Sequence, residues 1–69
     1  MKFDVYGRFQ LEVLRERDEW TVYQLGPGVR TRDKDIVIPP DLEADELAGY
    51  LDEFFHELGR PGESVSLLS

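Results

Sequence analysis

The run from Leu42 to Gly59, LEADELAGYLDEFFHELG, carries Leu47, Tyr50, Leu51, Phe54, Phe55 and Leu58 at helical spacing. That spacing collects large apolar groups along one side of a helix. Asp45, Asp52, Glu53, His56 and Glu57 fall on the other side. An oily stripe of this strength has to be covered. In a chain of 69 residues the available cover is the strand-like first half.

That half opens with alternation from Lys2 to Leu14. Phe3, Val5, Gly7, Phe9, Leu11 and Val13 share one parity, and Lys2, Asp4, Tyr6, Arg8, Gln10 and Glu12 the other. The pattern predicts a strand with one buried and one wet face, and an N-terminus tied into the sheet. Gly7 removes a side chain from the buried parity. It marks a bend, a bulge, a close approach of the helix, or a turn that cuts the strand in two. Arg15 to Glu19 lacks apolar groups and reads as a hairpin connection. Trp20 to Leu25 is the second strand, with apolar groups on both faces. Gly26-Pro27-Gly28 then supplies Pro and Gly at the two central positions of a type II turn. Val29 to Ile38 is the third strand, weak through Arg30–Asp35, and Pro39-Pro40 ends it.

The ends of the helix are marked as well. Leu42 and Leu47 fit a hydrophobic staple, and Glu46 sits at the capping-box position relative to Glu43. Gly59 fits the residue just past the C-terminus, with Pro61 beyond it. Val65 and Leu67 alternate with Ser64, Ser66 and Leu68, enough for a short fourth strand. Such a strand would run parallel to the first and third and would complete a right-handed crossover beside the third. The expected fold is α+β: one domain over 1–69, an antiparallel three-stranded β-meander with one helix on one face, with or without the C-terminal strand.

Composition narrows the function classes. A single core of this size stabilises a fold by only about 3–5 kcal/mol. The chain has no cysteine, so packing or self-association must supply stability, and the usage suits a reducing cytoplasm. Neither a signal-peptide pattern nor an apolar run near the length of a membrane span is present. Residues 1–40 balance seven basic against seven acidic groups, whereas residues 41–69 set eight acidic groups against Arg60 alone. The net charge of −7 therefore belongs to the helix and its flanks. Such a surface repels nucleic-acid phosphates and anionic lipid, so neither is expected as a partner.

Catalytic patterns are scarce. His56 follows Asp52 by four residues, a spacing that can chelate a metal, but a metal site wants three or four strong ligands. Arg60 also stands where a zincin would need its second histidine. Ser64, Ser66 and Ser69 crowd the last six residues, a poor place for a rigid triad. Gly26-Pro27-Gly28 leads into a strand, so it is not a phosphate loop. No catalytic residue, cofactor, metal or small-molecule substrate is expected. What the pattern does suggest is surplus apolar surface. Tyr6, Tyr23, Leu14 and Val37 fall on the face that the helix leaves open, which favours a protein partner or a second copy.

Three segments, MKFDVYGRFQLEV, DIVIPPDLEADELAGYLDEFFHE and RPGESV, together resemble a family of short bacterial proteins of unknown function. The resemblance implies a small fold common to that family and carries no catalytic motif. The element order also resembles small antitoxin-type domains in layout. The expected function is thus a non-catalytic, cytoplasmic interaction or oligomerisation module, with a homodimer as the simplest assembly. Asp45, Asp52, Glu53, His56, Glu57, Tyr6, Tyr23 and Val37 are the candidate partner-binding residues. One alternative is an acidic inhibitor of antitoxin or immunity type that masks a basic partner. The other is a metal-assisted hydrolase built on Asp52 and His56.

Overall fold

The computed structural model describes residues 1–68. It has five strands: β1 (Lys2–Val5), β2 (Phe9–Glu16), β3 (Glu19–Gly26), β4 (Val29–Arg32) and β5 (Val65–Leu67). One helix, α1 (Leu47–Phe54), is flanked by 3₁₀ turns at Ala44–Glu46 and His56–Leu58. The strands form one antiparallel sheet in the order β4-β3-β2-β1-β5. The class is α+β as the sequence suggests, but the sheet has five strands where a three-stranded meander, with or without a short C-terminal strand, was expected.

The extra strand comes from the first segment, which folds back on itself. Tyr6 and Gly7 take φ of 55° and 70°, and the Arg8 N–H donates to the Val5 carbonyl at 3.0 Å. Gly7 N–H also donates to the Asp4 carboxylate at 2.9 Å. Val5 then pairs with Phe9 and Phe3 with Leu11. Both partners in each pair are odd-numbered, because the connection has an odd number of residues. A straight strand and this hairpin therefore place the same apolar groups on the same face, and alternation cannot tell them apart. The N-terminal ammonium closes the ladder by donating to the Val13 carbonyl at 3.0 Å.

The second connection is shorter than the charged run implied. Glu16 pairs with Glu19, leaving Arg17 and Asp18 as a two-residue turn with φ of 51° and 63°. A type I′ turn asks for positive φ at both positions and favours Asn-Gly there. Arginine is not relaxed in that region, and aspartate, though better tolerated there, is less so than glycine. Replacing Arg17-Asp18 by Asn-Gly should stabilise the fold by about 1–2 kcal/mol, read as a rise in the urea midpoint at unchanged slope. The third connection meets expectation: Gly26 pairs with Val29, and Gly28 takes φ of 70° after Pro27, as a type II turn requires.

The third strand is cut short. β4 ends at Arg32, and Ile36-Val37-Ile38 is extended chain outside the sheet. The cause is local. Asp33 is the last residue tied to β3, through its N–H to the Val22 carbonyl at 2.8 Å and its carboxylate to the Gln24 amide at 2.8 Å. The same carboxylate accepts the Asp35 N–H at 3.0 Å, a local turn that carries the following backbone off the ladder. Freed from the sheet, the segment crosses its face with Ile36 and Ile38 buried and Val37 exposed. Trp20 Nε1 donates to the Leu42 carbonyl at 2.9 Å and Arg15 to the Pro40 carbonyl at 2.6 Å. The crossing is thereby fixed to the β2–β3 hairpin.

The helix starts where its caps place it. The Glu43 N–H donates to Glu46 Oε1 at 3.0 Å, closing the capping box. α1 lays Leu47 and Leu51 on the sheet, where both are wholly buried with Phe3, Val5, Leu11, Val13 and Val22. Its end departs from expectation. Phe55 leaves helical geometry with φ of −102° and ψ of 10°, and a 3₁₀ turn follows. Gly59 is extended, with φ of −81° and ψ of 150°, so it is not a left-handed cap. Past that point the apolar stripe is not fully covered, and Phe54 and Leu58 stay close to half exposed.

From α1 the chain reaches β5, which lies beside β1 and antiparallel to it, with Phe3 opposite Leu67 and Val5 opposite Val65. The expected parallel crossover beside the third strand does not form. The additional reversal at Tyr6-Gly7 flips the direction of β1, and β4 and β5 end on opposite edges of the sheet.

Candidate functional site

The residues singled out from the sequence do not share one surface. Tyr6 is buried in the core; it does not lie on the open face of the sheet. Its hydroxyl donates to Asp52 Oδ1 at 2.5 Å, with the Asp52 carbonyl 2.9 Å away. Tyr6 and Asp52 therefore form a clamp that ties the β1–β2 turn to α1. The clamp also accounts for an aromatic residue at positive φ, a conformation that persists only where the surroundings hold it.

Hydrogen bonding to Asp52, then burial, then the charges of Asp52 and Glu63 push the Tyr6 phenol up to about 12 from its ordinary 10.0. The folded state thus holds this proton more tightly than the unfolded chain. The stabilisation is complete below pH 10 and is lost as pH rises through about 12. Tyr6→Phe removes it. The stability gap between the wild type and Tyr6→Phe should be constant up to about pH 9 and narrow by about pH 11.5. Paired urea melts across that range check it.

Asp45, Glu53, His56 and Glu57 are exposed on and beside α1. His56 Nδ1 lies 2.7 Å from the Glu53 carbonyl oxygen, so Nδ1 carries the proton and donates. Asp52 Oδ1 is engaged by Tyr6 and His56 Nδ1 by the Glu53 carbonyl. Among the described residues no three His, Asp or Glu side chains converge to hold a metal ion. Ser64 and Ser66 lie on and beside β5, and Ser69 lies outside the described residues.

The open face of the sheet is a charged network with little free apolar area. Tyr23 stands between Glu12 and Arg32 in register, and the Arg30 guanidinium lies 4.3 Å over its ring. Arg30 also pairs with Glu12 at 2.7 Å, which lowers the Glu12 carboxyl and raises Arg30. Thr21 donates to the Glu16 carboxylate and Tyr23 to the same group at 3.2 Å; these bonds lower the Glu16 carboxyl. Leu14, Tyr23 and Leu25 are half-buried by these neighbours. The surplus apolar surface lies elsewhere: Val29, Val37, Phe54, Leu58, Leu67 and Leu68. The sequence offered β5 as a strand but placed it beside the third strand, so the free edge it forms next to β1 was not anticipated. The signal was present in Ser64–Leu68, an uncharged run in which Val65 and Leu67 alternate with serine.

Clefts are shallow. One, about 560 Å³, lies over the exposed end of β3 and β4 and is lined by Gln24, Gly26, Val29, Thr31 and Asp33–Asp35 among others. A second, about 410 Å³, runs beside Trp20 under the Ile36–Ile38 crossing. Among the described residues no helix is long and apolar enough to cross a membrane.

A small antiparallel sheet with one face under a helix and a crossing strap defines an α+β domain. Residues 1–69 match the family described as Domain of unknown function (DUF7661), and the chain belongs to that family. No curated protein and no solved structure matches it.

Proposed function

We propose that this chain is a non-catalytic, cytoplasmic protein-interaction module whose simplest assembly is a homodimer. The observation that carries the reading is a fold of marginal size that leaves large apolar side chains uncovered. Leu67 is 55% exposed, Leu68 50%, Phe54 47% and Leu58 46%. Exposure of several such groups in so small a domain is more than isolated surface residues require. Light scattering tests it: the particle mass should be twice 8.0 kDa at micromolar concentration and fall on dilution. A mass of one chain at every concentration overturns self-association.

A second reading rests on Asp45, Glu53 and Glu57. All three are exposed, and no ion pair to any of them is formed among the described residues. They would suit an inhibitor that masks a basic partner, of the antitoxin or immunity type. Asp52 does not belong to that surface, so the informative variant is Glu53→Lys with Glu57→Lys. Salt-sensitive capture of a basic protein, lost in that variant, supports this reading. Capture that survives the variant removes it.

A further inference from the structure

The two edges of the sheet differ in how they are guarded. β4 presents Arg30 and Arg32, with Lys34 just beyond, and cations on an edge oppose pairing with another strand. β5 and Leu68 after it carry no charge and no proline. The backbone of β5 is half used. The Leu68 N–H donates to the Lys2 carbonyl at 2.7 Å, which fixes the phase of the β1–β5 ladder. Residues alternate in an antiparallel ladder, so Ser66 and Leu68 turn their amides to β1. Val65 and Leu67 turn both N–H and C=O to the free side.

We propose that a second copy of this chain adds to the β5 edge, antiparallel and about a two-fold axis through Ser66. This rests on the self-association reading and names its surface. In that register Val65 of each copy stands opposite Leu67 of the other, and every outward N–H and C=O on both strands finds a partner. The side chains match too. Val65 and Phe3 face the helix-bearing side, as does Leu67 opposite Phe3, so Val65 and Leu67 meet on that side across the axis. Serine meets serine on the other side. Leu67, open in one copy, is covered by the second. The same operation on β4 would set arginine against arginine. The edge is thus complementary to itself, which selects a second copy over a foreign strand. Each copy carries −7, so association should tighten as salt screens the repulsion.

The test exploits the absence of cysteine. Ser66 faces its own copy at a non-hydrogen-bonded position, where Cα atoms lie about 4.5 Å apart, within disulfide range. Oxidised Ser66→Cys should run as a covalent dimer on a non-reducing gel, and Thr31→Cys on β4 should stay single. Leu67→Pro removes an amide that points only outward. It should lower the light-scattering mass to one chain while the circular dichroism stays native. A wild type that is monomeric throughout overturns the self-association reading and this proposal with it. A wild-type dimer in which Ser66→Cys does not cross-link and Leu67→Pro stays dimeric overturns the edge alone.

Discussion

Leu51→Ala should leave the chain largely unfolded in water at 25 °C. Leu51 is wholly buried where α1 meets the sheet, with Leu47, Phe3 and Leu11 in the same cluster. Truncating a buried leucine costs about 2–5 kcal/mol, because the transfer energy is lost and a cavity is left. A core of this size supplies about 3–5 kcal/mol in total. The margin is consumed. The urea transition should lose its folded baseline, and dispersed amide signals should collapse. Leu51→Met conserves volume and should cost less than about 1.5 kcal/mol. Val37→Ala, at a side chain that is 71% exposed, should stay within about 0.5 kcal/mol of wild type. If Leu51→Ala melts at the wild-type midpoint, α1 is not the element that covers the sheet. Since an assembly stabilises by mass action, all three should be compared at one chain concentration.

The helix was legible because its evidence is redundant. Periodicity, the Leu42–Leu47 staple and the Glu43–Glu46 box all agree, and the observed start follows them. The hairpin inside the first strand was not legible from pattern. Pairing Val5 with Phe9 preserves parity, so only Gly7 hinted at it. The fate of Ile36–Ile38 was hidden for another reason. An alternating apolar run looks the same whether its neighbours are sheet hydrogen bonds or the top of a core, and the Asp33 side chain decides. Tyr6 was misplaced because a residue at the tip of a turn obeys no parity at all. Its buried position depends on Asp52, far along the chain. The candidate surface was read half correctly. Asp45, Glu53 and Glu57 are exposed while Asp52 is turned to Tyr6; the apolar surplus lies at Val29, Val37, the end of α1 and β5, and the open face is closed by Glu12, Arg30 and Tyr23.

Gly59→Ala should be destabilising, and its cost should depend on Tyr6. The backbone at Gly59 is extended, with φ of −81° and ψ of 150°, so alanine meets no dihedral penalty there. At such a site the change alone would stabilise by about 0.4–1 kcal/mol, through the unfolded chain. Here a Cβ would lie 3.0 Å from Tyr6 Cζ and 3.2–3.3 Å from the two neighbouring ring carbons. The ring cannot slide away, because its hydroxyl is held by Asp52. Overpacking of this kind costs about 1–3 kcal/mol, and the steric term wins. Tyr6→Phe releases the ring, so in that background Gly59→Ala should cost at least about 1 kcal/mol less. Gly49, in the middle of α1, has open space around its own Cβ position, and Gly49→Ala should stabilise by about 0.5–1 kcal/mol in either background. Urea midpoints of the four chains in the Tyr6/Gly59 cycle, with Gly49→Ala as reference, decide the matter. Additive changes would mean that the Tyr6–Asp52 clamp does not set the path of the chain into Gly59. A coupling of the expected size would mean that one hydroxyl, placed by the β1–β2 turn, fixes how the helix ends and so how the chain is delivered to β5.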